Sequence, residues 1–326
     1  MNASSESSIT SVPYAFLFPG QGSQEVGMGK ALAERYPAAR EVFAAADEAL
    51  GFSLSELCFA GEPAELGLTA NTQPAILTCS IAALAALRCE LGDAFVDGAE
   101  VCLGHSLGEF SALVAAGAID FADAVRLVRL RGQAMQEAVP AGVGAMAAIL
   151  KLDADVVEEL CAAASTGAEV VSPANENGGG QIVIAGHAAA VDRVVAAAKG
   201  AKGRAIQLKV SAPFHCSLMT PAAERLAAAI ETVMVKPLKT PIINNVDAAL
   251  NRNAAQVKGD LVRQVTERVR WEASVRSAVH MGVGRAFEVG HGRVLAGLIK
   301  RIDRTLSVSP VGSPADIDVL KDGPRD

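Results

Sequence analysis

Aromatic residues are scarce in this 326-residue chain: they make up 4 %, with a single tryptophan and two tyrosines. Alanine, valine and leucine dominate instead, and hydrophobic residues reach 51 %. A chain of this size and apolar content can bury a large core. Its alanine-rich stretches predict long helices, because alanine loses no side-chain entropy in a helix. An excess of positive charge is also missing. The formal net charge is -7, which argues against nucleic acid as the main partner. Six cysteines (Cys58, Cys79, Cys89, Cys102, Cys161 and Cys216) show no CxxC or Cys/His metal spacing. Most stand in apolar runs and read as small buried hydrophobes in a reducing compartment. The opening residues, MNASSESSITSVP, have no apolar signal core and read as a disordered tail over 1–13. No apolar run is read as approaching the roughly 20 residues of a membrane helix. The expectation is a soluble cytoplasmic protein without metal, membrane or nucleic acid.

What is present alternates. YAFLFPG reads as a buried strand stopped by Pro-Gly, Thr72 to Leu91 as a long buried helix, and EVCLG as a second short strand before the helical LGEFSALVAAG. Strand and helix in turn predict an α/β parallel sheet. The middle differs. AMAAILKL, DADVVEELCAAAS, AEVVSPAN, QIVIAG, HAAAVDRVVAAAKG and RAIQLKVS read as β-α-β-β-α-β, with Asp153 as the first helix cap. That order is ferredoxin-like and predicts a small domain over 142–210, inserted into a larger α/β domain over 14–141 and 211–309. In the latter, TPIINNV and RAFEVG read as further strands, and 310–326 reads as a loose polar tail.

Gly104-His105-Ser106-Leu107-Gly108 fits G-x-S-x-G between a buried strand and a helix. In a nucleophile elbow, flanking glycines let the serine sit on a tight strand-to-helix turn at the positive end of the helix. A serine helix cap would use the same residue. A nucleophilic serine also needs a base. Of the five histidines, His215, in VSAPFHCS after the last strand of the small domain, is the best placed, and His105 is too constrained. Arg131 falls on the helical face of Phe121, Val125, Val128 and Met135. A buried arginine needs an anion: either a nearby Asp or Glu, or a substrate carboxylate held by paired hydrogen bonds.

Together, FPGQGSQ, GHSLGE, LRGQAMQEAVP, QIVIAGH, APFHC, NNVD and EVGHGRVL resemble, in order, the malonyl-CoA:acyl-carrier-protein transacylases of bacterial fatty-acid synthesis, from about Tyr14 to Ser309. The resemblance implies a hydrolase-like α/β core carrying a ferredoxin-like small domain, in agreement with the order above, and a malonyl ester on Ser106, with His215 as base and acid. It implies that the carbonyl of Gln264 steers the histidine, that the backbone N–H groups of Gln21 and Leu107 form an oxyanion hole, and that Arg131 binds the malonyl carboxylate. Asn175 and Phe214 would line the pocket, Phe214 favouring malonyl over methylmalonyl. His291 stands where the family usually has proline. Malonyl-CoA and acyl carrier protein would be the substrates, the latter bringing its phosphopantetheine arm, and no metal or redox cofactor is implied. An acidic carrier would dock on basic residues. Lys199, Lys202, Arg204 and Lys209 form the densest basic stretch near His215, with Lys202 and Arg204 as the docking candidates. Two alternatives share the motifs: a serine thioesterase or esterase, and a stand-alone acyltransferase of a polyketide pathway. A non-catalytic carrier-binding module conflicts with the intact Ser106, His215 and Arg131. No coiled-coil or swapped element is read, so a monomer is expected.

Overall fold

The computed structural model describes residues 12–322 except 141, 209 and 211. The tail expected over 1–13 therefore lies outside the described residues apart from Val12 and Pro13. The chain opens on β1 (Tyr14–Phe18), buried along its whole length, and runs through α1 (Lys30–Arg35), α2 (Pro37–Leu50), α3 (Leu54–Ala60), α4 (Pro63–Leu66) and α5 (Thr69–Asp97) to β2 (Val101–Gly104). Helices α6 (Gly108–Ala115) and α7 (Phe121–Glu137) follow. The middle of the chain is β3 (Gly144–Leu150), α8 (Ala154–Ala164), β4 (Val171–Gly178), β5 (Gln181–His187), α9 (Ala188–Gly200) and β6 (Arg204–Gln207). The remainder is α10 (Thr220–Ile230), β7 (Ile242–Ile243), β8 (Leu250–Asn251), α11 (Ala254–Thr266), α12 (Trp271–His280), β9 (Arg285–Val289), α13 (Val294–Ile302), β10 (Ser307–Val311) and α14 (Pro314–Asp322).

The strands form two separate sheets. The larger has the order β10-β9-β1-β2-β7-β8, parallel except for the β7–β8 pair. The smaller has the order β4-β5-β3-β6 and is antiparallel throughout. A parallel sheet needs apolar cover on both faces. Here β1 and β2 are buried at every position. Four of the aromatic residues, Tyr14, Phe16, Phe95 and Phe287, pack ring against ring against this sheet. Alanine does the rest. Ala75, Ala82, Ala83 and Ala86 of α5 and Ala124 and Ala134 of α7 are fully or almost fully buried. At Gly132 an added Cβ would lie 2.5 Å from the Thr69 carbonyl oxygen, so only glycine lets α7 approach α5 this closely.

Several sequence expectations need correction. Helix α5 is long and apolar enough to cross a membrane, which the reading of short apolar runs overlooked. However, 67 % of its most apolar window is buried within the protein, as in a core helix, and Gly92 kinks it with φ of 82°. Asp153 occupies the cap position of α8, but its side chain makes no cap hydrogen bond. The strands expected over RAIQLKVS and TPIINNV shorten to β6 and β7. Nor is the C-terminal segment a loose tail. β10 extends the large sheet beside β9, and α14 buries Ile317 and Leu320. Arg35–Asp318 and Lys321–Glu90 pairs, both at 2.7 Å, fix that helix from outside. Its polar composition belongs to an amphipathic helix with one narrow apolar stripe.

Candidate active site

The large sheet delivers its loops to one end. The chain leaves β1 through Gly20 and Gln21, β2 through His105 and Ser106, and β7 through Asn244 and Asn245, all at the C-terminal ends of parallel strands, where open α/β sheets bind ligands. The β2 turn is tight. A Cβ on Gly104 would sit 1.9 Å from the Gly108 carbonyl carbon, and one on Gly108 would sit 2.0 Å from the Phe18 carbonyl oxygen. Ser106 itself has φ of 52°. A non-glycine residue in that region carries about 1–3 kcal/mol of strain. Five non-glycine residues have positive φ among those described, and Ser106 and His215 are two of them. Ser106 is not the helix cap: α6 begins at Gly108, with Leu107 in the cap position.

The Ser106 hydroxyl faces His215 instead. Oγ lies 2.8 Å from Nε2, and Nδ1 lies 2.7 Å from the Gln264 carbonyl oxygen. A carbonyl only accepts, so Nδ1 carries the proton and the Nε2 lone pair points at Ser106. Burial pushes the His215 pKa down to about 3, with help from the positive charge of Arg131. The ring is therefore neutral at physiological pH and able to take a proton. Arg131 is 2 % exposed. Its Nη2 donates to Ser106 Oγ at 3.2 Å and to Gln264 Oε1 at 2.9 Å, and its Nη1 donates to Gln73 Oε1 at 2.9 Å. Nε meets no acceptor among the described residues. Burial lowers the Arg131 pKa to about 10, partly offset by Glu109, so the guanidinium stays charged. Arg126 points outward to Asp123, as the helical wheel predicts.

Gln73, Ser106, Arg131 and His215 line one cleft of about 210 Å³ between the two sheets. Gln21, Leu107, Asn175 and Phe214 line it as well, beside the apolar Met135, Met146, Val183 and Leu208. Neither backbone N–H of Gln21 nor of Leu107 has a protein acceptor among the described residues. Lys202 and Arg204 do not line the cleft. They are exposed at the start of β6, whose continuation carries Leu208 and Val210 to the cleft wall, and Lys209 lies outside the described residues. His105 turns away from the serine and pairs with Asn177 at 2.9 Å. His291 pairs with Glu25 at 3.2 Å, outside the cleft.

Four polar residues were not singled out by sequence reasoning. Asn245 accepts from the Ser106 N–H at 2.7 Å and donates to the Gly104 carbonyl at 2.7 Å, clamping both sides of the elbow. Glu109 is buried and accepts from Gln264 Nε2 at 2.6 Å and from the Asn245 N–H at 3.1 Å. Burial raises its pKa to about 7 against those hydrogen bonds. Gln73 and Asn177 complete the set. The signals were faint: Asn245 and Glu109 lie inside the NNVD and GHSLGE stretches, but nothing local says what they touch. No group of three or more His, Cys, Asp or Glu side chains fit to hold a metal occurs among the described residues.

Such an arrangement can acylate a serine and bind an anionic acyl group beside it. Comparison with known proteins gives the same class. The acyl transferase domain family matches residues 15–309. The malonyl CoA-acyl carrier protein transacylase of Escherichia coli strain K12 is 49 % identical over 304 residues, 93 % of this chain and 96 % of that protein. An acyl carrier protein S-malonyltransferase from Vibrio cholerae superposes with a TM-score of 0.90 at 45 % identity, covering 94 % of this chain and 99 % of that one. A malonyl-transacylase in complex with a type II PKS acyl-carrier protein superposes with a TM-score of 0.90 at 43 % identity, covering 95 % and 99 %. With a family match over nearly its whole length and relatives at these identities, the chain belongs to the acyl transferase family, among its malonyl CoA-acyl carrier protein transacylases.

Proposed function

We propose that this chain transfers a malonyl group from malonyl-CoA to the phosphopantetheine thiol of an acyl carrier protein, through an ester on Ser106. One observation carries the reading: a single oxygen, Ser106 Oγ, lies within hydrogen-bond reach of both a neutral imidazole and a buried, unneutralised guanidinium. In the first half-reaction His215 Nε2 takes the Ser106 proton as Oγ attacks the thioester carbonyl. The carbonyl oxygen becomes an oxyanion, stabilised by the N–H groups of Gln21 and Leu107 near the N-terminus of α6. The C–S bond breaks, and the coenzyme A thiolate leaves with the proton from His215. In the second half-reaction the carrier thiol gives its proton to His215, attacks the ester, and Ser106 recovers its hydrogen. The Gln264 carbonyl keeps the imidazole in the required tautomer. A thioester is an easier acyl donor than an amide, so a carbonyl in place of a carboxylate suffices. The scheme balances without a metal or redox cofactor.

Arg131 receives the malonyl carboxylate, and Asn175 and Phe214 shape the pocket around the acyl chain. The Phe214 ring leaves little room for an extra methyl, a preference worth about 1–3 kcal/mol. We further read the large sheet as a hydrolase-like core over 14–141 with 211 onward, and residues 142–210 as an inserted ferredoxin-like domain, whose strand order and antiparallel pairing fit that arrangement. Malonyl transfer in fatty-acid synthesis, a cytoplasmic location and a monomeric state complete the reading. A polyketide role is the second reading, favoured by one fact: a structural relative is bound to a type II PKS carrier. A hydrolase is disfavoured by Arg131, which a neutral ester would leave unpaired.

The test is the intact mass of protein incubated with malonyl-CoA alone and quenched in acid. One added malonyl group, absent in Ser106→Ala and discharged by carrier protein, is expected. Free malonate accumulating with no adduct would make the protein a hydrolase, and neither adduct nor malonate would end the malonyl assignment.

A further inference from the structure

Arg131 is held in an unusual way for a buried cation. Buried guanidinium groups are ordinarily paired with carboxylates. No carboxylate forms an ion pair with Arg131 among the described residues. Its two terminal nitrogens are held by neutral side-chain amides, Gln73 Oε1 on Nη1 and Gln264 Oε1 on Nη2, each at 2.9 Å. An amide can present either its oxygen or its nitrogen, so something must fix which end faces the cation. In both glutamines an acceptor on the far side does so. Glu109 Oε2 takes the Gln264 Nε2 at 2.6 Å, and the Met135 thioether takes the Gln73 Nε2 at 3.6 Å. With the nitrogens drawn away, both oxygens are left for Arg131. The Gln264 amide thus stands between the Glu109 carboxylate and the guanidinium. Gln73 also lines the cleft, so its side chain borders the space an acyl group would fill.

This arrangement fixes the direction of the guanidinium without neutralising it. A carboxylate at either amide position would hold Arg131 equally well but would form an internal salt bridge. The cation would then gain little from a second carboxylate arriving with the substrate, and the site would lose its reason to prefer one. Building on the transacylase reading above, we infer that Gln73 is a specificity-determining residue: its neutral amide orients Arg131 while reserving the charge for acyl groups that bring their own carboxylate. Gln264 does the same from the other side, with Glu109 and Met135 setting the polarity of the two amides.

The test compares wild-type protein with Gln73→Glu and Gln73→Leu in equal mixtures of malonyl-CoA and acetyl-CoA, quenched early and read by intact mass. The measured quantity is the ratio of malonyl-enzyme to acetyl-enzyme. Q73E changes one atom's chemistry and keeps the shape, and its ratio is expected to fall about tenfold or more, the scale on which a pocket discriminates neighbouring substrates. Q73L removes the clamp without adding charge, and its ratio is expected to fall less. Should Q73E fail to fold, Q73L carries the test, because a loosened Arg131 handicaps only the carboxylated group. If both acyl groups load more slowly in proportion, or the ratio is unchanged in both variants, Gln73 is only structural and the inference is overturned. Wild-type protein that loads neither acyl group would instead overturn the transacylase reading, and the inference with it.

Discussion

Asn245 is the residue on which the elbow geometry depends, and its replacement is the sharpest test of the site's construction. Its side chain bridges the Gly104 carbonyl and the Ser106 N–H, 2.7 Å to each, on either side of the turn. Asn245→Ala leaves both backbone groups without that partner. The Gly104 bond is buried and the Ser106 bond partly so. An orphaned buried backbone group costs about 1–3 kcal/mol. The carbonyl carries that full range and the N–H, nearer the cleft, the lower end of it. The expected loss is on the order of 3 kcal/mol. The positive φ at Ser106 adds to it, since the strain persists only while its surroundings enforce it. Urea denaturation followed by circular dichroism measures the loss. Asn245→Asp refines the argument. The introduced carboxylate keeps an acceptor for the Ser106 N–H but turns an oxygen toward the Gly104 carbonyl. Once protonated it can donate there. Its pKa in the fold is then raised, so its deficit should be largest at neutral pH and shrink as pH falls through that value. A loss below about 0.5 kcal/mol for Asn245→Ala, the range of neutral surface substitutions, would refute the claim that these two hydrogen bonds hold the elbow.

Two further outcomes follow from the charges. His215, with its pKa depressed to about 3, contributes stability that is present above its unfolded value near 6.5 and is lost as pH falls toward 3. Glu109, raised to about 7, contributes stability that is present below its unfolded value near 4.5 and is lost as pH rises through 7. The two oppose each other between pH 4.5 and 6.5. Glu109→Gln should therefore gain stability relative to wild type as pH rises from 5 to 7 in urea melts. An identical difference at both pH values would show that Glu109 does not titrate in that window. Separately, charge reversal at Lys202 and Arg204 should raise the apparent KM for the carrier while malonyl-enzyme formation from malonyl-CoA continues. Steady-state kinetics with varied carrier would discard the docking surface if KM did not move.

How far the sequence could be read depended on whether a residue's constraint was local. Ser106 was legible because the two glycines that let the turn close stand within two positions of it. Arg131 was legible because a helical wheel places it on the buried face of α7, and it is buried. His215 was legible only as the best of five histidines. The loop carrying it fixed its neighbourhood, but the 2.8 Å contact with Ser106 spans 109 positions of chain. The C-terminal helix was missed because a two-residue apolar stripe, Ile317 and Leu320, is too short to show a period.

The amides were beyond local reading for a stricter physical reason. Gln73, Asn245 and Gln264 carry no charge that demands a partner, and each is unremarkable in its own helix or loop. Their work is to donate on one side and accept on the other. That role exists only once α5, α7, α11 and the loop after β7 have met around Ser106. A sequence marks a buried charge as a problem to be solved. It does not mark the neutral groups that solve it, because an amide costs little wherever water or backbone can pair with it. Arg131 shows both halves. Burial of the cation implied an anion, and the two alternatives were an internal carboxylate or the substrate. The side chains that keep the first from being needed are glutamines, and only their placement leaves room for the second.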